Sequence, residues 1–109
     1  MKIDSSELSK YYKIPLVGNK YQNYKPTNKD TDILLIKEDE NIHDSNAVCV
    51  YSRRQSIEGI KLNKLGYIIS DKTSFIRENF DNLKIDKIIR SRNKNNEGNY
   101  YYYLLISLV

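Results

Sequence analysis

Apolar residues come in short runs separated by polar, turn-forming stretches, the pattern of a chain built mainly from strands. Residues 14–17 close on Gly18-Asn19 and predict a first strand that ends in a turn. The polar stretch 20–31, with Pro26, Asn28 and Asp30, predicts a loop. At 32–37, Ile33, Leu34, Leu35 and Ile36 stand in one row, which predicts a strand buried on both faces or closing a barrel. Further strands are predicted at 47–51 and 65–69, with 53–59 as a polar hairpin region between them. Residues 83–89 alternate well enough for another strand, and 90–99 form an Asn-rich loop. The last strand has the clearest period of two: Tyr100, Tyr102, Leu104, Ile106 and Leu108 line one face, and Tyr101, Tyr103, Leu105, Ser107 and Val109 the other.

Two helices are predicted beside these strands. Ser5 or Ser6 can cap a short amphipathic helix running to Tyr12, with Leu8, Tyr11 and Tyr12 as its stripe and Pro15 as its stop. Ser70 or Asp71 can cap a second, whose Phe75, Ile76, Phe80 and Leu83 make a core-facing stripe. The chain thus reads as a single domain over residues 1–109, with six short strands, one or two short helices, no repeat and no linker. The fold class is mainly β, a small barrel or sandwich. A six-stranded barrel is the expected form, because a small sheet with apolar residues on both sides needs its edges paired or covered.

Charge modifies this picture modestly. Eighteen Lys and Arg against fourteen Asp and Glu give +4, a bias that suits a polyanion without requiring one. Glu38, Asp39, Glu40 and Asp44 form an acidic cluster, while Arg53, Arg54, Lys61 and Lys64, then Lys84, Lys87, Arg90, Arg92 and Lys94, form basic stretches. Those stretches are either solvated faces or a phosphate track. Cys49 is the only cysteine, so no internal disulfide forms, and its place in Ala47-Val48-Cys49-Val50 predicts burial. A reducing, cytoplasmic setting fits best. The opening residues lack an apolar signal core, and no run approaches the roughly 18 apolar residues of a membrane span, so neither secretion nor a membrane partner is expected. One His and one Cys without ligand spacing predict no metal, and no nucleophile–base pair accompanies them, so no cofactor and no catalysis are expected.

One segment is more informative: Lys37-Glu38-Asp39-Glu40-Asn41-Ile42-His43-Asp44-Ser45-Asn46-Ala47-Val48-Cys49-Val50. It resembles the central signature of the HIRAN domain family, in which a basic-acidic dipeptide and an Asn precede Asp-x-Asn-Ala-aliphatic-x-Val at the entrance to a strand. The resemblance continues in Pro15-Leu16-Val17-Gly18-Asn19-Lys20-Tyr21 and in Leu65-Gly66-Tyr67-Ile68, and it covers about residues 14–82. It departs from the family pattern at Asp39 and Ile42, where prolines are usual, and at His43, where another aromatic is usual.

The resemblance implies an OB-like barrel that binds single-stranded DNA and captures a 3′ end. By it, Asp44 would accept a hydrogen bond from the terminal 3′-hydroxyl, Tyr21 and His43 would lie against the last bases, and Lys20 would meet a phosphate. Tyr67 belongs to the implied surface, Lys72 is the substitute for a basic contact that falls near Ser70, and Tyr102 would complete the stacking wall. The residue chemistry agrees. An ionised carboxylate only accepts, so Asp44 favours a hydroxyl over a phosphate, while aromatic rings stack bases. Other readings stand beside these. Asp44 and Asn46 can equally form an Asx-type turn that launches the strand, and residues 100–103 can be core. The rival function is a protein-interaction adaptor, or an inhibitor of a DNA-processing enzyme.

Overall fold

Six strands and one short α-helix make up the computed structural model, which describes residues 11–27 and 29–109. The strands are β1 (Tyr11–Val17), β2 (Ile33–Lys37), β3 (Val48–Ser56), β4 (Gly59–Ile68), β5 (Leu83–Arg90) and β6 (Tyr102–Leu108). Helix α1 (Thr73–Glu78) lies between β4 and β5, flanked by 3-10 turns at Ser70–Lys72 and Phe80–Asn82, and a third such turn, Asn19–Tyr21, follows β1. Every pairing is antiparallel, in the order β2-β3-β4-β1-β6-β5. None of the helices is long and apolar enough to cross a membrane among the described residues.

Strand β1 joins two halves of this sheet. Its first five residues pair with β6, from Tyr11 opposite Ser107 to Pro15 opposite Tyr103, and Leu16 and Val17 pair with Ile68 and Tyr67 of β4. Pro15 stands at the change of partner. Its carbonyl accepts the Ile69 N–H at 3.1 Å, and its ring leaves the return bond unmade, a loss tolerated at the start of a ladder. Beyond the Val17–Tyr67 pair β4 bulges: the register passes from Val50–Gly66 to Tyr51–Lys64, leaving Leu65 extra. Gly66 adopts φ 147°, and a Cβ there would sit 2.6 Å from the Val17 carbonyl oxygen. The buried Asn19 side chain donates from Nδ2 to the Leu65 carbonyl at 2.8 Å, tying the turn after β1 to the bulge.

The core follows from the period of two. Ile14 and Leu16 of β1, Val48 and Val50 of β3, Leu65 and Ile68 of β4, and Leu104 and Ile106 of β6 all face inward. Helix α1 adds Ile76, at 0% exposure, and sets the Phe75 ring 4.8 Å from that of Tyr12. Cys49 is fully buried and its thiol is pushed up from the ordinary value, chiefly by burial.

Several expectations need correction. The sheet is open: no ladder joins β2 to β5 among the described residues, so hydrogen bonding does not close the six-stranded barrel. Helix α1 packs Ile76 and Phe75 against the core, and the β5 edge is blunted by a bulge at Asp86 and by Lys84, Lys87 and Arg90. Strand β2 is a partly exposed edge, not a strand buried on both faces, since only Ile33 is buried. Tyr11 and Tyr12 are strand, because Tyr12, Ile14 and Leu16 share a face and Tyr12 pairs with Ile106. The rest of the expected first helix, with Ser5, Ser6 and Leu8, lies outside the described residues. No side chain caps the second helix; the Thr73 hydroxyl instead donates to the Ser70 carbonyl at 2.9 Å. The hairpin expected at 53–59 is present, with β3 and β4 running on beyond the expected strands to a two-residue turn at Ile57-Glu58. This ribbon extends beyond the core with both faces wet, although Ile60 and Leu62 alternate with Lys61 and Asn63.

One buried carboxylate anchors the loop before β2. Asp30, 3% exposed, accepts from the Ser52 hydroxyl at 2.6 Å, the Tyr24 hydroxyl at 2.7 Å, the Thr27 N–H at 2.7 Å and the Arg54 guanidinium at 3.2 Å. Burial pushes its pKa up, but these donors outweigh it and hold the carboxyl below the ordinary range.

Two predictions follow from these contacts. Gly66→Ala forces a strained φ and a clash with backbone, so it should lower stability by about 3 kcal/mol in chemical denaturation; a loss under about 0.5 kcal/mol would refute the close approach. For Asp30, the folded-state pKa lies below the unfolded one. Its stabilisation is therefore complete above the ordinary carboxylate value near pH 4 and disappears as pH falls through the depressed folded value. Wild type should exceed Asp30→Asn in melting temperature at neutral pH, with the gap narrowing in acid; a gap independent of pH would refute the assignment.

Candidate nucleic-acid interface

The loop between β2 and β3 is held from inside and outside. The Glu38 N–H donates to the Ala47 carbonyl at 2.9 Å, closing the loop at its base. Inside it, Asn41 Oδ1 accepts from the N–H groups of His43 at 2.8 Å and Asp44 at 3.1 Å, while Asn41 Nδ2 donates to Glu38 at 3.0 Å. Asp44 Oδ1 accepts from the Asn46 N–H at 2.9 Å, and the Asp44 carbonyl accepts from the Ala47 N–H at 3.1 Å. The Asx-type turn is therefore present at Asp44. From outside, Arg77 of α1 donates to the carbonyls of Ser45, Asn46 and Ala47 at 2.8–3.1 Å and to Asp39 Oδ1 at 2.6 Å. That hydrogen bond holds the Asp39 carboxyl below its ordinary value. Asp39, one of the departures from the resembled pattern, thus staples the loop to the helix.

This arrangement brings His43 and Asp44 beside Tyr67 of β4. The three line an open cavity of about 380 Å³ with Val17, Asn41 and Ser70. Tyr67 is fixed from both sides. Gly18, at φ 76°, has the Tyr67 ring 3.8 Å from where its Cβ would stand, and Lys64 donates from Nζ to the Tyr67 hydroxyl at 2.8 Å. The hydrogen bond to Tyr67 holds the Lys64 ammonium above its ordinary value.

The other residues singled out from the sequence lie elsewhere. Lys20 pairs with Glu97 at 3.3 Å and lines a neighbouring cavity of about 490 Å³, which shares Val17 with the first. Tyr21 is 77% exposed, with the Lys20 ammonium 5.1 Å from its ring centre, and does not line the Asp44 cavity. Lys72 is exposed at the end of its 3-10 turn, while Ser70, at the start of the same turn, reaches the cavity wall. Tyr102 is 6% exposed, packs in the core and faces cavities with Pro26 and Arg90, so it is not part of a wall with His43.

Three contributors were not singled out for the site: Asn41, which shapes the loop; Lys64, which braces Tyr67; and Arg77, which clamps the loop. Asn41 sits inside the informative segment, so its position was a usable signal. Arg77 lies 30 residues or more from its acceptors, and nothing local in the sequence points to it.

Chemically, the cavity offers a carboxylate with one oxygen in the turn and an exposed side chain, one imidazole and one phenol ring. It can accept a hydrogen bond from a hydroxyl and stack a planar ring. Among the described residues no three of His, Cys, Asp and Glu gather as metal ligands. No family model matches the chain, and no curated protein or solved structure matches it.

The turn at Asp44 separates two roles by substitution. Asp44→Asn keeps an acceptor for the Asn46 N–H, whereas Asp44→Ala removes it. The alanine variant should lose about 1 kcal/mol and the asparagine variant almost none, measured by denaturant titration. Equal losses would show that the carboxylate charge, not the turn, is what stabilises the loop.

Proposed function

We propose that the protein is a HIRAN-like, non-catalytic module that binds single-stranded DNA and reads its 3′-hydroxyl end in the cavity of His43, Asp44 and Tyr67. The observation that carries this reading is the meeting of the resembled motifs: Asp44 and His43 from the β2–β3 loop and Tyr67 from β4, separated along the chain, line one cavity with Val17. Asp44 keeps its second carboxylate oxygen for a donor, and a terminal hydroxyl is a donor. A terminal phosphate would place two anions in contact. His43 and Tyr67 supply ring faces for the last base. The OB-like likeness belongs to the same reading, since the OB fold is itself a partly open barrel. Lys72 and Tyr102 carry less of it than Ser70 and Lys64, which lie at or beside the cavity.

A protein-interaction role is favoured by a separate observation. The β3–β4 ribbon leaves Ile57, Ile60 and Leu62 exposed beyond the core, an apolar surface that a protein partner would cover.

Fluorescence anisotropy with one oligonucleotide ending in a 3′-hydroxyl or a 3′-phosphate tests the end reading. The hydroxyl form should bind about tenfold tighter, the scale of one hydrogen bond to a charged group. Asp44→Asn should erase most of that preference while remaining folded. Equal binding of both ends by wild type would refute end capture, and no binding to either would favour the protein-interaction role.

A further inference from the structure

The turn after β1, the loop that follows it, the end of β5 and the loop before β6 bring four cations round one open cavity of about 380 Å³. Lys20, Lys25, Arg90 and Lys94 line it, with Tyr100 and Tyr102 between them, and no carboxylate lines it. Among the described residues Lys25, Arg90 and Lys94 form no ion pair; Lys20 alone has one, with exposed Glu97. Arg53, Arg54 and Arg77 each meet a carboxylate, while exposed Lys61 and Lys72 form no ion pair among the described residues; what sets this cavity apart is that four cations line one concave wall with no carboxylate on it. Instead, the Arg90 guanidinium and the Lys94 ammonium stand 4.0 Å and 5.4 Å from the Tyr100 ring centre, and Lys25 Nζ donates to the Asn19 carbonyl at 2.7 Å.

Like charges gathered on a concave wall repel one another and focus a positive potential outward. The chain supplies little to neutralise them, so an external anion is what the arrangement accommodates. Tyr100 adds an aromatic surface beside that charge, the combination that suits a nucleic-acid strand better than a lone inorganic ion. The cavity also adjoins the rest of the interface. It shares Lys20 and Tyr100 with the 490 Å³ cavity, which reaches Val17, and Val17 lines the Asp44 cavity.

We infer that this four-cation cavity binds backbone phosphates of a single strand whose 3′ end lies at Asp44. The strand then has a fixed polarity, entering at Arg90 and Lys94, passing Lys20 and Val17 and ending at Asp44. The inference deepens the end-binding reading and rests on it for the polarity; the phosphate site itself does not need it. Affinity comes from the cations and end discrimination from the carboxylate, so the two are separable.

The test uses 5′-labelled oligothymidylates of increasing length, with a 3′-hydroxyl or a 3′-phosphate, against three proteins. These are wild type, Arg90→Gln/Lys94→Gln, and Arg53→Gln/Lys61→Gln, which removes the same charge from the β3–β4 ribbon. The cavity variant should bind long strands about tenfold more weakly, and its slope of log affinity against log salt should fall by about 1.4, from about 0.7 per phosphate contact on a single strand. It should keep its preference for the hydroxyl end and bind dinucleotides as wild type does, while the ribbon variant stays within about twofold of wild type. A cavity variant that binds like wild type, or loses no more than the ribbon variant, overturns the phosphate site. Should the cavity variant weaken while wild type ignores the terminal group, the phosphate site stands and the end pocket with its polarity falls. No binding by wild type overturns both.

Discussion

Everything in this fold depends on β1 changing partners at Pro15. The five residues before and including the proline belong to the β6–β5 half, and the two after it to the β4–β3–β2 half. Without that change the chain would hold two three-stranded sheets, each too small to cover its own apolar face. Beyond Val17, β4 yields to the chain. Leu65 bulges, Gly66 lets the Val17 carbonyl come close, and Asn19 bonds the bulged carbonyl from below. Core residues from both halves can then share one interior.

The same junction places the candidate interface. Val17 ends β1 and lines both the Asp44 cavity and its neighbour, and Gly18 turns the chain so that the Tyr67 ring packs against it. What faces them is a loop whose shape is set by hydrogen bonds rather than by burial. Asn41 organises it from within, Arg77 clamps it from α1, and Asp44 takes part in its turn with one oxygen. Such a loop is ordered before anything binds, which lowers the entropic cost of recognition.

Charge is distributed with similar economy. The arginines on the β3 and α1 sides are used internally, against Asp32, Asp30 and Asp39, and hold loops to the sheet. The cations on the β5 side are left to solvent or stacked on tyrosines. A net charge of +4 therefore hides a local concentration of cations, because Lys20, Lys25, Arg90 and Lys94 line one cavity that no carboxylate lines.

Much of the strand pattern was legible in the sequence, because burial imposes a period of two: Ile14 and Leu16, the run at β2, Val48 to Val50, and above all the alternation of Tyr102, Leu104 and Ile106. The burial of Cys49 was legible from its apolar neighbours in β3, and that of Ile76 from its place in a helical stripe. The segment 37–50 singled out His43 and Asp44 and the stretch 65–68 singled out Tyr67, residues that the structure brings to one cavity. Where a strand leaves the core, as in the β3–β4 ribbon, no face is dry, and the alternation of Ile60 and Leu62 with Lys61 and Asn63 does not report burial. Partner changes, bulges and sheet edges were invisible because they depend on which strands meet, not on what any strand contains. For the same reason only the tertiary structure could put Lys64 behind Tyr67, Arg77 over a loop 30 residues away, and Lys20, Lys25, Arg90 and Lys94 around one cavity. A side chain's neighbours along the chain set its preference for strand, turn or burial, whereas its neighbours across space are chosen by the packing of the whole sheet.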